Sequence, residues 1–171
     1  VWVPPGYILV VVVHNETDVV PSPSDCADMH QAAVRREGQD ISLVTYGGSL
    51  GKTQQAAALL QQQNINAEVI DLRCLRPLDT QTIFASVNKT GRVIVVDEGW
   101  RTGSLAGEIC ALISEHCFWS LDAPPQRVCS QEVPIPYPQH LEQAATPQVD
   151  QIVNAAEVLL NKPKTKLDMS Q

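Results

Sequence analysis

The chain has 171 residues and 44% hydrophobic content, enough for one domain with a real core. Its formal net charge of −7, with no basic block, excludes sequence-independent nucleic-acid binding, which needs clustered cations to neutralise phosphates. An acidic chain leaves room for a basic protein partner.

The first residue is Val1, so the sequence reads as a fragment or processed product of a longer chain. The apolar run 8–13 is far too short to span a bilayer, and no basic segment precedes it as in a signal peptide. It is expected to be one β-strand, the last of a domain not otherwise present. Residues 14–28 mix Pro, Ser, Asn and Asp without apolar pattern and read as a linker. The expected organisation is a strand and linker over 1–30, a domain over 31–161 and a polar, disordered tail over 162–171.

Within the domain, residues 32–36 and 41–46 are extended runs around the four-residue loop Glu37-Gly38-Gln39-Asp40, which predicts a β-hairpin. Gly47-Gly48-Ser49 ends the second strand. Leu50, Thr53, Ala57 and Leu60 then recur at helical spacing. A strand is expected over 69–72. Asp79, after Pro77, suits the N-cap of a helix over 80–87 that buries Ile83, Phe84 and Val87. Gly91 closes that helix, and 93–96 is a strand apolar on both faces. Leu105, Ile109, Leu112 and Ile113 stripe the next helix, and a short strand follows at 127–129. After the proline-rich crossing 134–138, Thr146 and Pro147 read as N-cap and first residue of a last helix, with Val149, Ile152, Val153, Ala156 and Leu160 on its apolar face. Alternating strands and helices predict an α/β fold, a mostly parallel sheet with one antiparallel edge strand.

In such a sheet ligands gather at the strand carboxyl ends. Gly51-Lys52-Thr53 resembles the end of a P-loop, but the motif requires glycine at position 46, which is Tyr46. Close backbone approach at a helix start accounts for these glycines instead. Arg73 and Arg76 can clamp a carboxylate or phosphate, or form ion pairs with Asp79 or the 97–98 acids; the ion pair is the preferred reading. Asp97 and Glu98 are an acid/base candidate pair, weakened because adjacent residues leaving a strand point to opposite sides. Trp100 and Arg101, an aromatic beside a cation, favour an interface anchor over an active site. The four histidines are scattered without a nucleophile beside them. The five cysteines form no C-x-x-C and read as free thiols of a reducing compartment; His116-Cys117 is too little for a metal site.

The residues Val34-x-Arg36-Glu37-Gly38-x-Asp40-Ile41, Asp71-Leu72-Arg73-x-x-Arg76-Pro77-Leu78-Asp79, Asp97-Glu98-Gly99-Trp100, Asp122-Ala123-Pro124-x-x-Arg127-Val128 and Pro134-x-Pro136-Tyr137 together resemble one family. It is the C-terminal, transketolase-type domain of the β subunit of 2-oxo acid dehydrogenase E1 components, which include the pyruvate, branched-chain and acetoin enzymes. The resemblance implies a three-layer α/β/α domain with a mixed five-stranded sheet. It implies partners too: an E1 α subunit, a second E1 β subunit and the basic binding domain of the E2 acyltransferase, with no nucleic acid and no membrane. Thiamine diphosphate and Mg²⁺ belong to the parent enzyme. The G-D-G…N signature and the pyrimidine-binding domain are not in this sequence, so no cofactor is expected in this chain. The family places the protein in the bacterial cytoplasm, the mitochondrial matrix or a plastid.

Two functions stand. One is a non-catalytic assembly domain of an E1 β subunit, with Arg73, Arg76, Asp97, Glu98, Trp100 and Arg101 as interface candidates. The other is a free-standing α/β enzyme or ligand-binding domain using the loops at the strand carboxyl ends. Convergent titratable groups there separate them.

Overall fold

The computed structural model describes residues 8–9 and 31–161. In chain order the elements are β1 (Ile8–Leu9), β2 (Ala33–Arg36), β3 (Ile41–Thr45), α1 (Ser49–Gln62), β4 (Ala67–Asp71), β5 (Cys74–Arg76), α2 (Thr80–Thr90), β6 (Val93–Trp100), α3 (Leu105–His116), a 3-10 turn (Phe118–Ser120), β7 (Gln126–Ser130), α4 (Gln139–Ala145) and α5 (Val149–Leu160). The five-stranded sheet has the order β2-β4-β3-β6-β7, with β2 the one antiparallel member. Separately, β1 and β5 form a short antiparallel pair. The remainder of the expected 8–13 strand, the linker and the tail lie outside the described residues.

Strand alternation sorts the core into two layers. Ile41, Leu43, Ile94 and Val96 point to one face, where Ala56, Ala57 and Leu60 of α1 and Ile152, Ala156 and Leu159 of α5 cover them. Val44, Val93 and Val95 point to the other, against Ile83 and Val87 of α2 and Ile109 and Ile113 of α3. This is the expected α/β/α sandwich, in which central parallel strands are buried on both faces.

The expected hairpin is not there. Strands β2 and β3 are not neighbours, because β4 lies between them and pairs antiparallel with β2 and parallel with β3. Adjacent strands are about 4.8 Å apart, so bridging two spacings needs about 10 Å, within reach of four residues at about 3.3 Å each. A four-residue loop therefore cannot distinguish a hairpin from a crossing over one intervening strand end. Here it crosses: the amides of Gln39 and Asp40 both donate to the Asn66 carbonyl just before β4, at 2.9 and 3.0 Å. Gly38 lies so close that a Cβ there would sit 2.2 Å from the Glu68 nitrogen and 2.3 Å from the Ala67 carbonyl carbon.

Polar contacts lock the crossing. Buried Glu68 accepts from the Gly38 amide and pairs with Lys89 of α2. Burial alone would raise the Glu68 carboxyl, but the hydrogen bonds from Lys89, Ser86 and Gly38 outweigh it and hold it below the ordinary range. On the far edge Arg35 pairs with Asp71 at 2.8 Å. Asp79 caps α2 as expected, accepting from the Thr82 amide at 3.1 Å, and it also accepts from the Ala32 amide at 2.9 Å, tying the start of β2 to α2.

Several element boundaries differ from the sequence reading, among them Cys74–Arg76, which forms β5. Strand β6 continues through Trp100, so residues 97–100 belong to a strand rather than a loop, with an irregular register between Asp97 and Trp100. The proline-rich segment leads into α4, which the sequence did not announce. Thr146 ends α4 instead of starting α5: its amide donates to the Glu142 carbonyl, and its backbone is extended, as a residue before proline prefers. The cap of α5 is Gln148, whose amide donates to Gln151 Oε1 at 3.1 Å.

Gly38→Ala tests the crossing. The added methyl meets backbone rather than a yielding side chain, so the expected loss is about 3 kcal/mol or more in a denaturant melt. A change below about 1 kcal/mol, the usual scale for a glycine in an open turn, would show that the loop does not lie on β4.

Candidate functional site at the strand carboxyl ends

The carboxyl ends of β3, β6 and β7 bring Tyr46, Asp97, Glu98 and Cys129 together. Asp97 is buried beneath this end of the sheet. Its carboxylate accepts from the Gly99 amide at 2.7 Å and from the Ala106 amide, in the first turn of α3, at 3.1 Å. The Tyr46 hydroxyl donates to it as well. Burial first, and then that hydrogen bond and the charge of Asp97, push the Tyr46 phenol well above its ordinary range. Tyr46 is thus a fixed proton donor rather than a base, and Asp97 is spent on organising the turn into α3.

Glu98 turns the other way, as alternation along the strand dictates. Its carboxylate packs on Gly48, where a Cβ would come within 2.7 Å of Oε1. Gly48 is the N-cap of α1, a helix with no acidic residue in its first turn and no side-chain cap, so Glu98 stands at that helix start. Desolvation of its carboxyl raises Glu98 against the pull of Lys52, and the charges of Asp97 and Glu142 raise it further. Lys52 in turn donates to Thr146 at 3.3 Å. Asp97 and Glu98 therefore do not converge on one proton.

Neither arginine of the 73–76 loop makes the expected ion pair: among the described residues no carboxylate lies within ion-pair distance of Arg73 or Arg76. Asp79 is turned to Ala32 and Thr82 instead. Arg73 has φ of 52° and a buried Nε without a partner, and Arg76 is exposed beside a cis peptide to Pro77. Trp100 is 47% exposed and is not a core residue. The guanidinium of Arg101 donates to the Arg127 carbonyl and that of Arg127 to the Arg101 carbonyl. Sequence reasoning passed over Arg127 and Tyr46 as site residues: Arg127 entered within the 122–128 stretch that carries the family resemblance and Tyr46 as the residue that breaks the P-loop pattern. For Tyr46 its place just after β3 was the available signal. Of the cysteines, Cys74, Cys110, Cys117 and Cys129 are free. Burial pushes the Cys110 thiol to about 11 and raises Cys117 and Cys129, so none of these three is set up as a nucleophile.

The family profile for the transketolase C-terminal domain matches residues 30–152. The chain belongs to the transketolase C-terminal domain family. It is 42% identical over 134 residues to the mitochondrial pyruvate dehydrogenase E1 component subunit beta of Dictyostelium discoideum, covering 78% of this chain and 38% of that protein. Against the corresponding subunit of Rickettsia bellii the identity is 41% over 127 residues, 74% of this chain and 39% of the relative. Among solved structures, a split-gene transketolase described as an inactive β4 tetramer superposes with a TM-score of 0.70 at 26% identity, covering 84% of this chain and 46% of that one. The chain thus spans less than half the length of each of these proteins.

The described residues of this transketolase-type domain do not fit a magnesium ion. Among the described residues no three His, Cys, Asp or Glu side chains converge as metal ligands, and Asp97 is engaged by two amides and a phenol.

The raised Glu98 carboxyl sets a sign for pH dependence. Folding disfavours its charged form, so its contribution is fully present below the ordinary glutamate range and lost as pH rises through the elevated folded value. Glu98→Gln is expected to raise the melting temperature at pH 7 and to have no such benefit near pH 3. A lower melting temperature at pH 7 would mean that the interaction with α1 and Lys52 outweighs desolvation.

Proposed function

We propose that this chain is the C-terminal assembly domain, over residues 31–161, of the β subunit of a pyruvate or related 2-oxo acid dehydrogenase E1, serving subunit pairing and E2 docking rather than catalysis. The observation that carries the reading is the 42% identity across most of the chain to a pyruvate dehydrogenase E1 β subunit. The site chemistry supports it: the acids at the strand ends are consumed in holding turns and helix starts, and the described surface presents Trp100, Ile135 and Tyr137, 47%, 53% and 100% exposed. Exposed aromatics on short rigid segments are what interface anchors require. The partners on this reading are an E1 α subunit, a second E1 β subunit and the E2 binding domain, whose basic character suits a chain of net charge −7. Decarboxylation with thiamine diphosphate belongs to the whole enzyme. The compartment is the bacterial cytoplasm or the mitochondrial matrix, matching the sources of the relatives.

The rival reading, a free-standing enzyme or ligand-binding domain, requires titratable groups that converge on a common point, and Asp97 and Glu98 diverge. Two measurements separate the readings. Calorimetry of this chain with thiamine diphosphate and Mg²⁺ is expected to give no binding; a micromolar dissociation constant would sink the assembly-only role. Trp100→Ala is expected to change the stability of the chain by no more than about 0.5 kcal/mol. The same substitution in an intact E1 heterotetramer should weaken association by about 2 kcal/mol. Loss of stability in the chain with assembly unchanged would place Trp100 in the fold and remove it from the interface.

A further inference from the structure

Two arginines meet beside edge strand β7, Arg127 near its start and Arg101 just past the end of β6, and among the described residues neither is paired with an acid. Arg101 Nη1 donates to the Arg127 carbonyl at 3.1 Å, and Arg127 Nη1 donates to the Arg101 carbonyl at 3.0 Å. Each guanidinium is thereby fixed by an uncharged acceptor, leaving further N–H donors of its five unspent. Elsewhere the arginines that are anchored through charge have carboxylates: Arg35 has Asp71 and Arg92 has Asp122. Arg101 and Arg127 have none within ion-pair distance among the described residues.

The pair lines a cavity of about 360 Å³ whose other walls include Cys129, Ser130 and Gln151. Arg127 also lies against the first turn of α3, its Nη1 within 3.4 Å of where a Cβ on Gly107 would be, so the positive end of a helix adds to two cations. Two acids face this region. Glu132 lines the cavity but gives Oε1 to the Thr102 amide at 3.0 Å. Asp97 lies buried beneath, its oxygens engaged by the Gly99 and Ala106 amides. Positive charge is thus gathered at one recess of an acidic chain and held in place before any counter-ion arrives, an arrangement suited to charge-assisted, multi-donor recognition of an anion.

We propose that the Arg101–Arg127 cavity is a binding subsite for a small oxyanion, a carboxylate or a phosphate group, held by the unspent donors of the two guanidiniums. The site stands on this geometry alone and does not depend on the assembly role proposed above. The oxyanion has two possible sources, a free anion or an acidic side chain of a neighbouring protein, and both present the same chemistry.

The test is a titration of the whole chain, at constant ionic strength, with inorganic phosphate, with acetate and with a short Asp/Glu peptide, following the arginine Nε–H signals by NMR. Saturable shifts at Arg101 and Arg127 are expected. Arg101→Gln and Arg127→Gln should each weaken binding by about tenfold. Glu132→Gln should tighten it by removing a competing charge, and Arg35→Gln should leave it unchanged. Because Arg127 also anchors the Arg101 backbone, melting curves accompany each variant, and Arg101→Gln, at the exposed end of the pair, decides the matter if Arg127→Gln unfolds. Phosphate binding more tightly than the peptide assigns a free anion; the reverse assigns a partner's side chain. Shifts that do not saturate with any of the three probes, or that persist at full strength in Arg101→Gln, overturn the proposal.

Discussion

Strand β4 has a neighbour on each edge and a helix layer on each face, and the rest of the sheet is arranged around that burial. All five of its residues are buried, including Glu68 and Asp71. A strand so enclosed must satisfy its backbone groups within the sheet and its charges within the protein. Both demands are met by the chain that wraps it: β2 and β3 supply the ladders, Gly38 approaches its backbone, Lys89 answers Glu68 and Arg35 answers Asp71. Removing β4 from between them would leave β2 without a partner in the sheet.

The same economy governs the strand carboxyl ends. Acidic residues there look like catalytic material, yet each is matched to a local structural need. Asp97 satisfies amides at the turn and at the start of α3, and Glu98 faces the start of α1. Helix N-termini present unsatisfied amides and partial positive charge, and a carboxylate from a neighbouring strand is an effective way of meeting both. The cations follow the opposite pattern. Among the described residues Arg73, Arg101 and Arg127 have no carboxylate partner, and Arg101 and Arg127 are held by each other's backbone carbonyls, although the chain as a whole is negative.

Exposed apolar side chains add to this asymmetry. Val133, Ile135 and Tyr137 lie on the segment between β7 and α4, where prolines fix φ and remove amide donors. Such a segment loses little further backbone entropy on meeting another surface, which lowers the cost of association. Trp100, at the end of β6, presents a further ring from a strand rather than from a loop.

The sequence by itself determined the elements whose signals are local. Helix α1 follows the spacing of Thr53, Ala57 and Leu60, α2 begins at the Asp79 cap and ends at Gly91, and β6 is recognisable from its unbroken valines and isoleucine. Family membership and the antiparallel edge strand were legible too. Tertiary structure alone decided which strand that edge partner was, because a four-residue loop spans one strand spacing or two and nothing in residues 37–40 reports the distance. It decided that Thr146 closes one helix instead of opening the next, since the carbonyl of Glu142 is within reach only once α4 exists. And it decided that Arg73 and Arg76 meet no acid among the described residues while Arg101 meets Arg127. Side-chain partners 26 residues apart in the chain depend on the register of β6 against β7, and a register is a property of the folded sheet.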